Sequence, residues 1–230
     1  MQSPTRLLTL AAAVLAASLP AGPAIAAADP LEPVNRRIHA LNQQLQAWVL
    51  GPAAELWLSS TSPGFRAGVA NALGNLGEPV SAVSSVAAGD LERAANAALR
   101  FGINTTLGIG GIEDAAAGLG FPRRPLAVAD AVCGWGVPSG PFVVLPLLGP
   151  STLRDAGATA VTGVALSQLV GPEAFLGWRA GDLFTGYAVV HHDLRRIEDE
   201  ALDSYAVHRS AYLQRRAAAC PADRRDEEED

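Results

Sequence analysis

The sequence predicts an all-α protein, and three observations support this class. Apolar residues recur at steps of three and four along several segments, which is the spacing of a helix face. The alternation of apolar and polar residues that marks a half-buried strand is almost absent. Hydrophobic residues make up 49% of the 230-residue chain and charged residues only 17%, so the chain has enough apolar material for a folded core.

The N-terminal half predicts a succession of helices separated by glycine and proline. A first helix begins at Asp29-Pro30-Leu31-Glu32, where aspartate can cap, proline suits the first turn and glutamate can complete a capping box. Gly51-Pro52 is expected to end this helix. Two short helices divided at Gly77, a longer one after Gly89-Asp90 and an alanine-rich one follow, at about Phe65–Leu76, Glu78–Ala88, Leu91–Ile103 and Glu113–Ala117.

The C-terminal half predicts three further helices. Ser151 is expected to cap the first, which runs to about Val170, and Gly171-Pro172-Glu173 opens the second. From Tyr187 to Ala219 the pattern predicts one long C-terminal helix whose charged residues face away from an apolar stripe. The stripe consists of Leu194, Ile197, Ala201, Tyr205 and Tyr212.

The sequence predicts a helical domain over residues 29–219, with a separate segment at each end of the chain. A positive start, the uncharged apolar run Leu7–Leu19 and the small residues Ala24-Ile25-Ala26 are typical of a secretory signal peptide over residues 1–28. An uncleaved N-terminal anchor is the alternative. Residues 220–230 are rich in Asp and Glu and predict a disordered acidic tail.

Segment 131–153 carries no charged residue, and its composition determines how it can meet a membrane. Its length would permit a transmembrane helix. Four prolines and four glycines interrupt it, and each proline removes a backbone donor and disrupts the helix. Apolar segments too broken to cross a bilayer can lodge in one leaflet, or can line a lipid path when packed among helices. A soluble helical core with a buried irregular loop is the alternative.

The sequence shows no convincing catalytic or metal-binding motif. Gly108-x-Gly110 lacks the third glycine of a dinucleotide site, and Ser139 does not have the spacing of a nucleophile elbow. His191 and His192 are adjacent, so on a helix they should point in different directions and not share a metal. We therefore expect neither an enzyme nor a protein with a metal or cofactor.

The net charge of −6 bears on nucleic-acid binding, and the two cysteines bear on disulfide formation. Nucleic-acid binding needs clustered Lys and Arg, so no nucleic acid is expected as a partner. Cys133 and Cys220 are able to pair after export. However, Cys220 borders the tail and Cys133 lies in an apolar run, which favours an unpaired buried thiol.

Six short blocks follow one another over about residues 29–216. The first three are D-P-x-E-x-x-N-R at Asp29–Arg36, N-L-x-E-P at Asn75–Pro79, and R-F-x-x-N with its following glycines at Arg100–Gly111. The last three are G-x-x-x-G-P within Gly136–Pro146, a turn ending in R-D at Gly149–Asp155, and D-x-Y with a closing Q-R at Asp203–Arg215. In this order they resemble the MlaA/VacJ family of outer-membrane lipid-asymmetry proteins. One departure is Ala26-Ala27-Ala28-Asp29, which stands where lipid-anchored members carry a cysteine.

The resemblance implies a ring of short helices in the periplasmic leaflet of the outer membrane, around an amphipathic pore. Such a protein removes misplaced phospholipid from the outer leaflet and passes it to a periplasmic phospholipid-carrier protein. It also associates with a trimeric outer-membrane porin. The implied partners are therefore phospholipid, that porin, that carrier and the membrane leaflet. A soluble periplasmic lipid-binding carrier is the alternative function.

Under this resemblance the uncharged segment becomes an irregular hairpin beside the pore. Gly136 and Gly140 are expected to act as hinges, because glycine accepts φ and ψ values that other residues resist, with simple turn geometry as the alternative. The expected wall of the lipid path is Val137, Phe142, Val143, Leu145, Leu147 and Leu148. The expected structural residues are Asn35, Glu78, Pro79, Asn104, Arg154 and Asp155, with contact to a lipid headgroup as the alternative for the last two.

Overall fold

The computed structural model describes residues 29–220, which fold mainly into helices. The predicted signal peptide and residues 221–230 of the predicted tail lie outside this range. Helices α1 to α6 are Glu32–Leu45, Gly51–Ser60, Pro63–Ala87, Leu91–Thr106, Ala115–Gly118 and Val128–Gly134. Strands β1 and β2 and helices α7 to α9 follow at Phe142–Leu145, Gly149–Thr152, Leu153–Val170, Pro172–Glu200 and Ser204–Ala219. The prediction of an all-α class is confirmed.

The first helix does not end at Gly51-Pro52, contrary to the prediction. A π-helical turn, Gln46–Leu50, joins α1 directly to α2. The backbone N–H of Gly51 donates to the carbonyl of Gln46 across this wider turn. Pro52 then occupies the first turn of α2, the part of a helix where proline is best tolerated. The extra residue of the π turn therefore absorbs the break that glycine and proline would otherwise impose.

Helix α3 is continuous through Gly77 and Pro79, so the prediction of two short helices was wrong. An interior proline normally costs about 3 kcal/mol in a helix. Here the helix packs against α4 along its length, and its buried face includes Asn75, Glu78 and Ser81. These tertiary contacts outweigh the weak local propensity of the two helix breakers.

The predicted single helix from Tyr187 to Ala219 is in fact two helices, α8 and α9. The chain leaves helical geometry at Ala201, and Asp203 caps α9 by accepting a hydrogen bond from the backbone N–H of Ala206. An aspartate is a strong cap, so it favours a new start over a continued helix. Thr152, and not the predicted Ser151, caps α7 by accepting from the backbone N–H of Asp155.

The hairpin is more regular than the sequence indicates. β1 and β2 pair antiparallel, with Phe142 opposite Thr152 and Leu145 opposite Gly149. The segment before them forms α6, although glycines and prolines suggested irregular backbone throughout. Apolar and polar residues do not alternate in these two short strands, so the sequence pattern could not reveal them.

Candidate functional site

Two asparagines of α1 hold the free edge of the hairpin. Asn35 donates its amide to the carbonyl of Phe142 at 3.0 Å and accepts from the N–H of Val144 at 2.9 Å. Asn42 does the same one step further along, with the carbonyl of Leu145 at 2.9 Å and the N–H of Leu147 at 2.8 Å. Each side chain therefore behaves as the backbone of a third strand would.

The spacing of the two asparagines matches the spacing of the strand. Asn35 and Asn42 are seven residues apart, which is two helical turns or about 10 Å. Phe142 and Leu145 are three residues apart, which is also about 10 Å in an extended chain. Both asparagines are buried, so their amides lose hydration that the hairpin backbone replaces. The register of the hairpin on α1 is fixed by this match.

Charged residues hold the base of the hairpin. Arg154 donates to the carboxylate of its neighbour Asp155 at 2.9 Å and to the carbonyl of Val137 at 3.1 Å. Asp155 also accepts from the hydroxyl of Tyr212 at 2.7 Å and forms an ion pair with Arg216 at 2.8 Å. Burial, and then the hydrogen bond to the Asp155 carboxylate, raise the pKa of Tyr212 to about 12, so this phenol stays a donor.

A disulfide joins Cys133 at the end of α6 to Cys220 at the end of α9. The interpretation of the two cysteines as unpaired thiols was therefore wrong. Both sulfurs are buried, and 87 residues separate them in the sequence. Because Cys133 lies nine residues before β1, the disulfide ties the segment that leads into the hairpin to the last helix.

Apolar packing around the hairpin is confined to a small aromatic cluster, defined by Phe142, Val144, Tyr205 and Tyr212. The ring of Phe142 meets the two tyrosine rings edge to face, at centroid distances of 6.2 and 6.0 Å. Two polar groups border the cluster, since the hydroxyl of Tyr205 donates to Asp29 and Asn35 donates to the same carboxylate. Asp29 from the predicted start motif thus ties the chain's first turn to α9.

A second polar cluster lies between α3 and α4. The guanidinium of Arg100 donates to Glu78 at 2.8 Å, to Asp114 at 3.1 Å and to the carbonyl of Phe121. Arg100 and Glu78 are only 2% and 4% exposed. Asn104 donates to Asp114 and accepts from the backbone N–H of Ala116. The ion pair of Arg100 and Glu78 is buried, and the hydrogen bonds of Arg100 reach three separate segments. The pair therefore links α3, α4 and the loop around α5.

The glycine-rich stretch after α4 packs against this second cluster. A side chain at Gly108 would lie 2.2 Å from the carbonyl oxygen of Glu113, and one at Gly111 would lie 2.6 Å from the Cβ of Asn75. Gly111 also has a φ of +92°, which favours glycine. Gly108 and Gly111 are therefore required by the close approach of neighbouring backbone and of the Asn75 side chain.

The exposed surface carries many large apolar side chains. On α7 and α8, Val161, Leu169 and Val189 are 70%, 79% and 80% exposed. The other long helices show the same feature, with Trp48, Leu56, Phe65, Val83, Leu91 and Leu107 all more than half exposed. Polar groups such as Asn75, Glu78, Ser84 and Arg100 are buried instead. No helix within residues 29–220 is both long and apolar enough to cross a membrane.

The expected wall residues occupy two different environments. Val137, Leu147 and Leu148 are exposed, and Leu147 adopts a positive φ at the tip of the hairpin. Val143 and Leu145 are half-buried on one face of β1. Phe142 lies in the aromatic cluster and faces away from open surface.

The expected hinge and structural residues are spread over both polar clusters. Gly136 and Gly140 flank the approach to β1 and have φ values of +80° and +66°. Asn35, Arg154 and Asp155 lie at the hairpin, whereas Glu78 and Asn104 lie in the second cluster, where Pro79 is exposed on α3. The expected structural residues therefore form two groups, one at the hairpin and one at α4.

Several residues of both clusters escaped the sequence analysis. Asn42 and Arg216 have no local pattern that marks them, because the partners Leu145 and Asp155 are 103 and 61 residues away. Asp114 lies in the loop before α5, and its partner Arg100 is 14 residues away on α4. The seven-residue spacing of Asn35 and Asn42 is the one signal that could have indicated a strand-binding face. His191 and His192 also approach a common partner, Glu55, despite the expectation that they diverge.

Comparison with known proteins shows the same fold in a solved structure and similar sequences in curated relatives. The family model described as MlaA lipoprotein matches residues 27–219. An Escherichia coli K12 protein named intermembrane phospholipid transport system lipoprotein MlaA is 32% identical over 194 residues, covering 81% of this chain and 76% of that protein. A Rickettsia felis protein is 33% identical over 142 residues, and the matched part spans 57% of its length.

A solved structure from work on the maintenance of bacterial outer membrane lipid asymmetry superposes with a TM-score of 0.74. It is 30% identical, and the match covers 84% of this chain and 99% of the solved one. The family model alone spans nearly every described residue, including both polar clusters and the hairpin between them. This chain belongs to the MlaA lipoprotein family.

Proposed function

We propose that this chain is the outer-membrane component of an intermembrane phospholipid transport system that maintains lipid asymmetry. It sits in the periplasmic leaflet, accepts misplaced phospholipid from the outer leaflet and passes it to a periplasmic carrier protein. One observation carries the proposal: large apolar side chains lie outside on most long helices, while charged and amide groups lie inside. That distribution suits helices whose surroundings are acyl chains.

The depth of one leaflet suits these helices. Half of a bilayer's hydrocarbon core is about 15 Å thick, which a helix of about ten residues fills. The exposed apolar residues of α7, from Val161 to Leu169, extend over a comparable length. Helix α8 changes character along its axis, since eight of its last ten residues, His191 to Glu200, are ionisable. Such a helix passes from lipid into water.

The hairpin supplies the proposed wall of the lipid path. Val137, Leu147 and Leu148 present apolar surface, and Val143 and Leu145 contribute partly exposed edges. Phe142 is held in the aromatic cluster and acts as the anchor of the strand. The proposed wall is thereby restricted to residues that an acyl chain can reach.

The hinge role is tested with two glycines that both have a positive φ. Gly140→Val forces a branched side chain into a left-handed conformation at van der Waals distance from Leu153, and Gly149→Val forces one into a left-handed conformation in open space at the start of β2. If Gly140 is a hinge, its variant raises outer-leaflet phospholipid, measured by phospholipase accessibility on intact cells, at normal protein level. The Gly149 variant then has a much smaller effect. Equal effects of both variants would assign the glycines to turn geometry alone.

A soluble lipid-binding carrier requires an apolar cavity, and the structure offers a polar one. The open cavity of about 420 Å³ beside α1 has Ala40, Ala201 and Leu202 in its lining, but the charged and polar side chains Arg36, His39, Gln43, Asp203 and Ser204 also line it and do not suit acyl chains. Membrane fractionation after a high-salt wash separates the two functions. Retention in the outer membrane supports the proposal, and release into the soluble fraction supports the carrier.

The partners and the absence of catalysis are tested with the purified protein. We expect a trimeric porin to copurify in mild detergent and bound phospholipid to be recovered intact. Phospholipid transfer to a periplasmic carrier is measured with labelled lipid. Accumulation of lyso-lipids during incubation would instead identify a phospholipase.

A further inference from the structure

Three potential metal ligands meet where α2 crosses the charged end of α8. They are Glu55 on α2 and His191 and His192 on α8. The Nε2 of His191 lies 3.2 Å from a carboxylate oxygen of Glu55, and the Nδ1 of His192 lies 3.9 Å from the same oxygen. One ligand atom of each residue falls within 4.8 Å of the other two. The adjacency of the histidines does not separate them, because their ring centroids are 5.1 Å apart and both rings approach the same Glu55 oxygen.

The ring of His191 is held in a fixed orientation. It is buried, and its Nδ1 lies 2.9 Å from the hydroxyl of Tyr187 one turn earlier on α8. When that hydroxyl accepts from Nδ1–H, the lone pair of Nε2 points at the Glu55 carboxylate. In the other tautomer, Nδ1 accepts from the Tyr187 hydroxyl and Nε2–H donates to Glu55, so the ring keeps its orientation with or without an ion. Metal-bound histidines typically donate their second N–H as in the first arrangement.

The backbone makes room for this ring at Gly51. A side chain at Gly51 would lie 3.3 Å from the Cε1 of His191 and 2.8 Å from the carbonyl oxygen of Gln46. Gly51 directly follows the π turn, and single π turns in helices occur frequently at functional sites. The absence of a Cβ at this position lets α2 approach the imidazole closely enough for Glu55 to reach it.

We propose that Glu55, His191 and His192 bind a divalent transition-metal ion, with Zn²⁺ as the best match. Two imidazole nitrogens and one carboxylate oxygen are a common zinc set that leaves the fourth position for water. Tetrahedral bonds of about 2.0–2.1 Å place ligand atoms about 3.4 Å apart. The Glu55–His191 distance already matches, and the exposed side chain of His192 closes the remaining gap by rotation.

One cation competes for the same carboxylate. Arg195 lies 4.0 Å from the Glu55 oxygen, and its side chain is 66% exposed. At that distance it makes no hydrogen bond, so it is free to turn into solvent when a metal ion enters. The bound ion would then fasten α2 to α8 at the point where α8 becomes charged.

The direct test is zinc binding to the tag-free protein after chelator treatment, followed by calorimetry. We expect one equivalent of Zn²⁺ per chain, and Glu55→Gln and His192→Asn should each weaken binding at least tenfold. Matched controls are His208→Asn and Glu92→Gln, which remove a histidine and a glutamate outside the cluster and should leave the affinity unchanged. Binding below a fifth of an equivalent, or equal losses in the control variants, would overturn the proposal.

A second set of measurements distinguishes the loss of a metal ligand from the loss of the folded structure. Tyr187→Phe keeps all three ligands but removes the group that orients His191, so it should weaken zinc binding about tenfold. Thermal unfolding without metal should be the same for wild type and His192→Asn, because His192 is exposed. Zinc should raise the midpoint of the wild type and not that of His192→Asn. An equal rise in both proteins would contradict the assignment of the ligands.

Discussion

The hairpin end of the molecule and the contact between its long helices have different cores. At the hairpin, Phe142 and two tyrosines form a buried aromatic cluster beside the buried pair Arg154 and Asp155. Between α3 and α4, Glu78 and Arg100 lie inside, while apolar residues such as Val83 face out. When two helices associate in lipid, burying their apolar side chains gives no hydrophobic gain, because the acyl chains are equally apolar. Such helices are joined by hydrogen bonds and by small residues that allow close packing. The α3–α4 contact follows that rule, since its buried residues include Gly74, Ser81, Ser84, Ser85, Ala94 and Ala97.

The largest effect is expected from the buried ion pair. Glu78→Ala leaves Arg100 without its best partner, and breaking a buried pair typically costs about 3–5 kcal/mol of unfolding free energy. Denaturant unfolding in detergent measures the loss. The control Glu92→Ala removes the exposed partner of Arg124 and should cost less than about 1 kcal/mol. Similar losses in both variants would show that the α3–α4 cluster does not hold these helices.

Apolar residues should differ just as sharply between the two regions. Phe142→Ala removes a buried ring and should cost about 3–4 kcal/mol. Leu169→Ala removes a side chain that is 79% exposed and should change the unfolding free energy by less than about 0.5 kcal/mol. Leu169→Ala should instead reduce binding to phospholipid vesicles, measured by flotation. A large loss of stability in this variant would mean that Leu169 is packed against protein.

The disulfide between Cys133 and Cys220 should stabilise the hairpin end. Cys133→Ser opens a loop of 87 residues and should lower the unfolding free energy by about 2–4 kcal/mol under oxidising conditions. Cys220→Ser should behave identically, and the double variant should be no worse than either one. Additive losses would indicate that each thiol acts by packing and not through the bond between them.

The smallest effect is a pH dependence at the start of α9. The hydrogen bond from Arg36 is the main cause that holds the pKa of Asp203 at about 2, below its ordinary value of 3.8. Because the folded pKa is the lower one, this stabilisation is present above about pH 4 and is lost as the pH falls towards 2. Both side chains are exposed, so solvent screens the pair and the contribution is the smallest of those considered.

The matched variant for this pH effect is Asp203→Asn. Asparagine keeps the cap on α9 while removing the titrating group. Acid titration of unfolding should therefore show a shallower slope between pH 4 and 2 in the variant than in the wild type. An unchanged slope would assign the acid sensitivity to other carboxylates.

The sequence predicted what local rules govern and missed what distant contacts govern. The helical class and the start of α4 follow from spacing and from the Asp90 cap, which the structure places as expected. The break before α9 was missed because the stripe residues Ala201 and Tyr205 keep helical spacing across Asp203, which the structure shows to be a cap. The continuity of α3 past Pro79 could not be predicted, because it depends on packing against α4.

The same distinction applies to the candidate site. The family motifs indicated Asn35, Arg154 and Asp155, but not what each one touches. Asn42 and Tyr212 reach partners 103 and 57 residues away, and no local pattern records such a pairing. The disulfide was missed for a similar reason, since only the fold brings Cys133 and Cys220 together.

The central claim is that the exposed apolar faces lie in a lipid leaflet, and spin-label accessibility tests it most directly. Leu169→Cys and Arg196→Cys each supply one reactive thiol, because the native cysteines are paired. In phospholipid vesicles the label at 169 should be open to oxygen and shielded from a water-soluble nickel complex, at a depth of no more than about 15 Å. The label at 196, on the charged end of α8, should show the reverse. Equal exposure of both labels to the nickel complex would contradict the claim.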